Sequence, residues 1–269
     1  MMLVKKIMNV LRLMRIARPL TGVRGAFEFY TAPIKWLVNL GKLKYGELLP
    51  SHLLLNTKLH GLFYTHARAV TPLFAEVYEV ENIMSKLVSE DTVFVDVGAY
   101  IGFYTVWACR RAKKVISIEP NPAALAYLKV NIALNECSNV TVVPKAVSDR
   151  RGYAKLKIPD VIEWGFISGG SSIVWDFEEA FEVKVEMDTL DSVLEEVGVD
   201  SVDVLKIDVE GAEGLVVRGA EKALKEAKAV LIEIWPENMW VVRHLKNSGY
   251  KLAEIIYHEG SKNYLFIRR

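Results

Sequence analysis

Glutamine is absent from the 269-residue chain, and cysteine occurs only twice, as Cys109 and Cys137. Depletion of thermolabile amides is a habit of hyperthermophilic proteins, so a thermophilic source is expected. Two cysteines are too few for a disulfide framework, and nothing near either reads as a metal site, so a reduced, cytoplasmic chain is expected. Long apolar runs are missing as well. Lys5, Lys6, Arg12, Arg15 and Arg18 interrupt the best candidate for a membrane span. The same charges leave no uninterrupted apolar region or small-residue cleavage site for a signal peptide. Histidine is sparse: His52, His60, His66, His244 and His258 are scattered without ligand spacing and read as packing or surface residues. Only His244, on the helix after the fifth core strand, merits a test. There is no excess of one charge sign either, with 34 Lys+Arg against 33 Asp+Glu, which excludes a generally basic nucleic-acid binder.

What is present describes an ordinary globular protein, 51% hydrophobic and 25% charged, long enough for one α/β domain with an extension. The balanced charge conceals an asymmetry. Residues 1–90 hold 12 Lys/Arg and 6 Asp/Glu, whereas 91–269 hold 22 and 27. The first 49 residues carry nine basic side chains against Glu28 and Glu47, a surface suited to an anionic partner such as membrane headgroups. Leu3, Ile7, Val10, Leu11, Met14 and Ile16 fall largely on one helical stripe, which suits either a helix packed on its own domain or an interfacial helix on anionic lipid. Residues 1–72 are therefore expected to be a basic amphipathic, mainly helical extension with a small hairpin at 52–56 and 62–66. Residues 73–269 form the main domain.

From residue 91 onward, short apolar runs alternate with helical stretches, the pattern of a parallel sheet with crossover helices. Strands are predicted at 92–97, 115–119, 140–143, 203–208, 229–234, 251–257 and 264–268. Helices are predicted at 73–88, 103–112, 122–135, 189–198, 212–227 and 237–248. An insertion at about 153–187 reads as two antiparallel strands, 153–158 and 181–187. The Gly/Ser tract 164–175 between them, flanked by tryptophans, is either a loop over a site or a plain connection.

Three motifs carry chemistry. Asp96-Val97-Gly98-Ala99-Tyr100-Ile101-Gly102-Phe103 follows a strand and opens a helix, so its glycines permit a tight turn and the helix start offers free N–H groups to a ligand. The spacing D-x-G-x-x-x-G is not the G-x-G-x-x-G of dinucleotide sites. One βα unit later, Glu119-Pro120-Asn121 ends a strand, where a carboxylate can accept both hydroxyls of a ribose. After the next strand, Val147 is placed to pack on a base while Ser148 or Asp149 bonds its edge.

Those three in order resemble the class I S-adenosylmethionine-dependent methyltransferases. A fourth motif, Lys206-Ile207-Asp208-Val209-Glu210-Gly211-Ala212-Glu213 followed by Arg218-Gly219-Ala220, is similar to the signature of the FkbM-type family. Tyr78-Glu79, Gly170-Ser171-Ser172, Thr189-Leu190-Asp191 and Glu233 support the match, which runs from about 76 to 240. Tyr100 departs from it, standing where the family usually has Asn, and residues 1–50 lie outside it. The resemblance implies a Rossmann-like, mostly parallel seven-stranded sheet whose last strand is antiparallel, and S-adenosylmethionine as cofactor. The cofactor would lie against Glu79, Asp96, Gly98, Ala99, Tyr100, Gly102, Phe103, Glu119, Pro120, Asn121, Val147, Ser148, Asp149 and Asp208.

The implied reaction is methyl transfer to a hydroxyl, often of a sugar, glycolipid or related metabolite. An alcohol is a poor nucleophile at neutral pH, so a base near the methyl group is needed. Asp208 is placed nearest the reacting centre, Glu210 acts as base or substrate anchor if the strand continues far enough to keep both on one side, and Lys206 pairs with one of them. Asp208, Glu210 and Glu233 are also hard oxygen ligands able to gather around Mg²⁺, although no metal is assigned. A rival reading is RNA methylation, because Asn121-Pro122, Tyr127-Leu128 and Asn131-Ile132 resemble the corresponding helix of archaeal tRNA guanine-N1 methyltransferases. Against it, the fourth strand lacks the Asn/Asp-Pro-Pro-aromatic turn of base-amino methyltransferases. A non-catalytic protein of the same fold would bind no cofactor.

Overall fold

A computed structural model describes residues 17–19, 52–58, 60–66, 80–159, 170–177, 180–257 and 262–269. Its centre is a seven-stranded sheet formed by β4 (Val93–Val97), β5 (Lys114–Ile118), β6 (Val140–Val143), β10 (Val204–Ile207), β11 (Ala229–Ile234), β12 (Tyr250–Tyr257) and β13 (Lys262–Arg268). The spatial order is β12-β13-β11-β10-β4-β5-β6. All neighbours from β11 to β6 run parallel, and β13 alone is antiparallel, to β11 on one side and β12 on the other. Order reverses at β4, whose neighbours β5 and β10 lie on opposite sides, and ligands of open α/β sheets bind at such a switch point.

Both faces of these strands are covered, which is why they read as nearly continuous apolar runs. Val95, Val97, Ile116, Ile118, Leu205, Ile207, Val230 and Ile232 join one core cluster. Phe94, Val115, Val204 and Leu231 alternate to the other face, where they meet α2 (Phe103–Cys109) and Phe63. Truncating one such side chain, Ile116→Ala for example, costs about 2–5 kcal/mol.

The remaining helices are α1 (Ser85–Leu87, preceded by a π turn over Val80–Met84), α3 (Pro122–Leu134), α4 (Leu190–Glu196), α5 (Glu213–Arg218), α6 (Glu221–Glu226) and α7 (Trp240–Asn247). Their starts are legible in side-chain chemistry. Asn121 caps α3, accepting from the N–H groups of Ala123 and Ala124, with Pro122 in the first turn where no donor is needed. Thr189 caps α4, while Asp191 reaches across to accept from Lys222 and Ala223 N–H at the start of α6. The single helix predicted over 212–227 is two, α5 and α6. At the break, Gly219 lies so close to the Ser148 carbonyl that a Cβ there would overlap it.

The insertion forms β8 (Gly152–Pro159) and β9 (Ala180–Asp188), antiparallel as predicted, with the short β7 (Ala146–Val147) joined parallel to β9. In the N-terminal region, β1 (Ala17–Pro19), β2 (His52–Thr57) and β3 (Gly61–His66) make a small antiparallel sheet. The amphipathic stripe from Leu3 to Ile16 lies outside the described residues, as do Glu79, His258 and 164–169 of the Gly/Ser tract.

The expectation of reduced cysteines is overturned. Cys109 and Cys137 form a disulfide with their Cα atoms 5.6 Å apart, and no cysteine is free. Cys109 ends α2 and Cys137 follows α3; these neighbouring helices bring together residues 28 apart in sequence, which local spacing cannot reveal.

Candidate active site

The switch-point turn is built by backbone. Gly98 and Gly102 take positive φ (80° and 94°), and so does Tyr100 (51°). Gly98 and Ala99 donate to the Ile118 carbonyl at 2.9 and 3.1 Å, locking the turn onto the end of β5. A Cβ on Gly98 would overlap the Asp208 carbonyl, so the first motif and the fourth are pressed together backbone to backbone. Beneath the turn, Asp96 is fully buried. Its Oδ2 accepts from the Thr105 hydroxyl at 2.7 Å, and its Oδ1 lies 3.7 Å from Lys206 Nζ. Burial, only partly offset by Lys206 and Thr105, pushes its carboxyl above the usual range. Asp96 therefore supports the turn from below. Ala99 and Phe103 are also buried, Phe103 against the ring of His60 at 4.3 Å.

Glu119 stands at the strand end as expected, with Pro120 half-exposed beside it. Its two carboxylate oxygens accept from Tyr100 N–H and Asn121 N–H, each at 2.8 Å, so one side chain joins the glycine turn to the start of α3. Each oxygen keeps a further lone pair for a ribose hydroxyl. Burial outweighs those two hydrogen bonds and raises its pKa to about 7. At the third motif, Val147 is committed to the main core cluster, Ser148 is buried, and Asp149 lies 3.6 Å from Arg218 Nε.

Sequence reasoning named Asn131 only within the helix that resembles tRNA methyltransferases and gave it no part in the site. This fully buried amide of α3 donates to the Ile101 carbonyl inside the glycine turn at 2.9 Å. It also exchanges two bonds with the Tyr64 backbone, accepting at 2.6 Å and donating at 3.0 Å. One turn later Asn135 repeats that exchange with Leu62. The two amides, four apart on a helix, thus act as a strand partner for the free edge of β3 and tie the N-terminal sheet to the cofactor turn. Their i, i+4 spacing places both amides on one face of α3.

The fourth motif gathers the acids, though by a different route from the one expected. Strand β10 ends at Ile207, and Glu210 has φ 51°, so the chain turns instead of continuing. That turn brings Asp208, Glu210 and Glu233 together, with one carboxylate oxygen from each lying within 4.8 Å of the others. Lys206 is the countercharge: its Nζ is 3.2 Å from Asp208 Oδ2, 3.3 Å from the Gly98 carbonyl and 4.8 Å from the Tyr104 ring centre. Burial and the neighbouring Asp208 and Glu213 raise the Glu210 carboxyl well above the ordinary range. Glu213, the last acid of the motif, is fully buried and shapes the turn by accepting from Gly211 N–H and the Asn238 amide, both at 2.8 Å. Its pKa rises to about 7, again chiefly by burial. His244 is exposed on α7 beside Trp240, so the structure does not bring it to the site.

The geometry and a match of residues 96–252 to the FkbM methyltransferase domain coincide. The chain belongs to the FkbM methyltransferase family. Its sheet is the class I methyltransferase arrangement, and the enzyme uses S-adenosylmethionine. The site fits that cofactor at Glu119, whose carboxylate oxygens are fixed by two backbone N–H groups and can still take hydroxyls. Among curated proteins, this FkbM chain is similar to methyltransferase sdnD of Sordaria araneosa, at 28% identity over 59% of this chain and 70% of that one. It is also similar to the tRNA (guanine(37)-N(1))-methyltransferase Trm5b of Methanocaldococcus jannaschii, at 30% identity over 42% of this chain and 38% of that one. Among solved structures, the FkbM methyltransferase of Methylobacillus flagellatus KT matches with TM-score 0.49 and 15% identity, over 90% of this chain and 60% of that one.

Proposed function

We propose that this enzyme methylates a hydroxyl of a saccharide, free or carried on a lipid or related metabolite. The observation that carries the reading is the convergence of Asp208, Glu210 and Glu233 at the ends of β10 and β11, beside the turn that receives the cofactor. When bound, S-adenosylmethionine supplies a methyl group already activated by its sulfonium. The glycine turn holds the methionine end, Glu119 the ribose, and Ser148 and Asp149 the base edge. Ionised Glu210 accepts the proton of the acceptor hydroxyl, and its raised affinity for a proton makes it the stronger base. Asp208, fixed by Lys206, accepts a hydrogen bond from a neighbouring hydroxyl of the acceptor and so keeps the reacting oxygen aligned. The basic segment 1–49, within an extension reaching to about residue 72, is read as the contact to an anionic membrane surface, presenting the domain to a lipid-linked acceptor.

A second reading assigns the three carboxylates to Mg²⁺, and their mutual proximity favours it. Lys206 already supplies a positive charge to the cluster, so the metal-free reading is preferred. Turnover that survives exhaustive chelation supports that preference, and turnover that vanishes and returns with Mg²⁺ replaces it. The wider test offers labelled S-adenosylmethionine together with neutral oligosaccharides, glycolipid vesicles or tRNA. Label is expected in the saccharide or glycolipid. Salt-sensitive labelling of tRNA alone would install RNA methylation in its place.

A further inference from the structure

We infer that Trp175 and Trp235 form the aromatic wall on which the acceptor ring stacks, making a subsite for a neutral, polyhydroxylated ring beside the three carboxylates. Trp235 follows β11 directly, and its indole Nε1–H donates to Glu233 Oε2 at 3.1 Å. Trp175 meets it nearly at right angles (86°), with ring centres 4.5 Å apart. Both rings are half-buried, and neither belongs to the buried core. They stand instead at the acid rim, since Gly211, next to Glu210, leaves room for Trp175 that a Cβ would take away.

The segment bearing Trp175 is fastened at both ends of the cleft. The Ser171 hydroxyl accepts from the Asn121 side-chain amide at 3.0 Å on the cofactor side. The Ser172 hydroxyl donates to the Glu210 carbonyl at 2.7 Å and accepts from Val174 and Trp175 N–H at 3.2 Å. Ser172 also forms a two-way backbone bridge with Lys157 of β8, at 2.9 and 3.0 Å. An aromatic corner held this firmly against carboxylates is organised for a ligand with two kinds of surface. A pyranose has them: an apolar face of C–H groups for the indoles and hydroxyl edges for Asp208, Glu210 and Glu233. A phosphate-rich polymer would meet the same acids with repulsion, and a plain alkyl chain would leave them without partners.

The subsite rests on the reading of this rim as the place of methyl transfer, and the experiment separates the two. Wild type and the variants Trp175→Ala, Trp175→Leu, Trp175→Phe and Trp235→Phe are assayed on a panel of neutral methyl hexopyranosides. Glycoside binding with S-adenosylhomocysteine present is read by tryptophan fluorescence or saturation-transfer NMR. The expected result is a KM for glycoside raised about tenfold or more in Trp175→Ala, with S-adenosylmethionine affinity within about twofold of wild type. Trp175→Leu keeps apolar bulk against Gly211 without an aromatic face, and is expected to behave like Trp175→Ala even where the latter fails to fold. Trp175→Phe is expected to retain most of the affinity. Trp235→Phe keeps a ring but removes the indole N–H donor to Glu233, so its glycoside affinity falls as well. Unchanged glycoside KM in Trp175→Leu, or loss of cofactor binding in step with glycoside binding, overturns the wall and leaves the saccharide reading standing. A wild type that neither binds nor methylates any glycoside overturns both.

Discussion

The two halves of the cleft are made from different materials. On the cofactor side, β4 and β5 present backbone: Gly98 and Ala99 bonded to the Ile118 carbonyl, and Glu119 accepting from two backbone N–H groups. On the proposed acceptor side, β10 and β11 present charge, with three carboxylates within 4.8 Å of one another and a buried lysine paired to Asp208. The first half is rigid because its polar groups are paired by the fold. In the second, burial and the neighbouring acids raise the proton affinity of Glu210, which makes its ionised form the stronger base. On the proposed reading, binding and chemistry are separated along the sheet edge, with Lys206 touching both.

The largest blow to the cofactor half is Gly98→Ala. A Cβ there overlaps the Asp208 carbonyl and takes a positive φ, costing about 3–5 kcal/mol, so calorimetry is expected to show cofactor affinity at least about a hundredfold weaker. Next comes the disulfide. It closes the loop of chain that carries Glu119 and Asn121, and opening it releases a 28-residue constraint worth about 3–4 kcal/mol. Reduction, or Cys109→Ser with Cys137→Ser, is expected to lower the melting temperature and weaken cofactor binding while leaving the acceptor KM nearly unchanged. Equal damage to both halves would erase the distinction. Asn131→Ala is a smaller insult of about 2–3 kcal/mol, since it removes the amide that bonds the Ile101 carbonyl and the Tyr64 backbone. It is expected to raise the KM for S-adenosylmethionine more than it lowers kcat.

The gentlest probe is pH. Glu119 and Glu213 have folded-state pKa values of about 7 against 4.5 when unconstrained. Both raised values favour folding fully below about pH 4.5, and that advantage is lost as pH rises through 7. The cofactor-free melting temperature is therefore expected to carry a falling contribution from these groups over that interval, reduced in Glu213→Gln. Cofactor affinity runs the opposite way. Ionised Glu119 is the better acceptor of ribose hydroxyls, so affinity improves by up to about tenfold per unit as pH rises towards 7, then levels off. Glu119→Gln is expected to flatten that profile.

The cofactor half was the more legible in sequence. Its strands, glycines and terminal acid are local patterns, and buried parallel strands announce themselves as apolar runs between turns. The acceptor half was legible in composition but not in geometry. Asp208 and Glu210 were expected to share a strand face, whereas a left-handed residue at Glu210 brings them together through a turn. Other features depend on contacts far apart in sequence and leave no local trace. Asn131 bonds a backbone 67 residues away, and the Cys109–Cys137 bond depends on two neighbouring helices. Gly219 stands at a helix break where the Ser148 carbonyl leaves no room for a Cβ, and Trp175 belongs to a strand connection until Trp235 is seen beside it.

The division of labour itself is tested most directly on one variant, Glu210→Gln, by measuring cofactor affinity and single-turnover methyl transfer on the same preparation. An amide keeps the size of the side chain and cannot take the proton. The account predicts S-adenosylmethionine affinity within about twofold of wild type and a transfer rate lower by about 10²–10⁴. Transfer at the wild-type rate, or a rate lost only in proportion to cofactor binding, would contradict it.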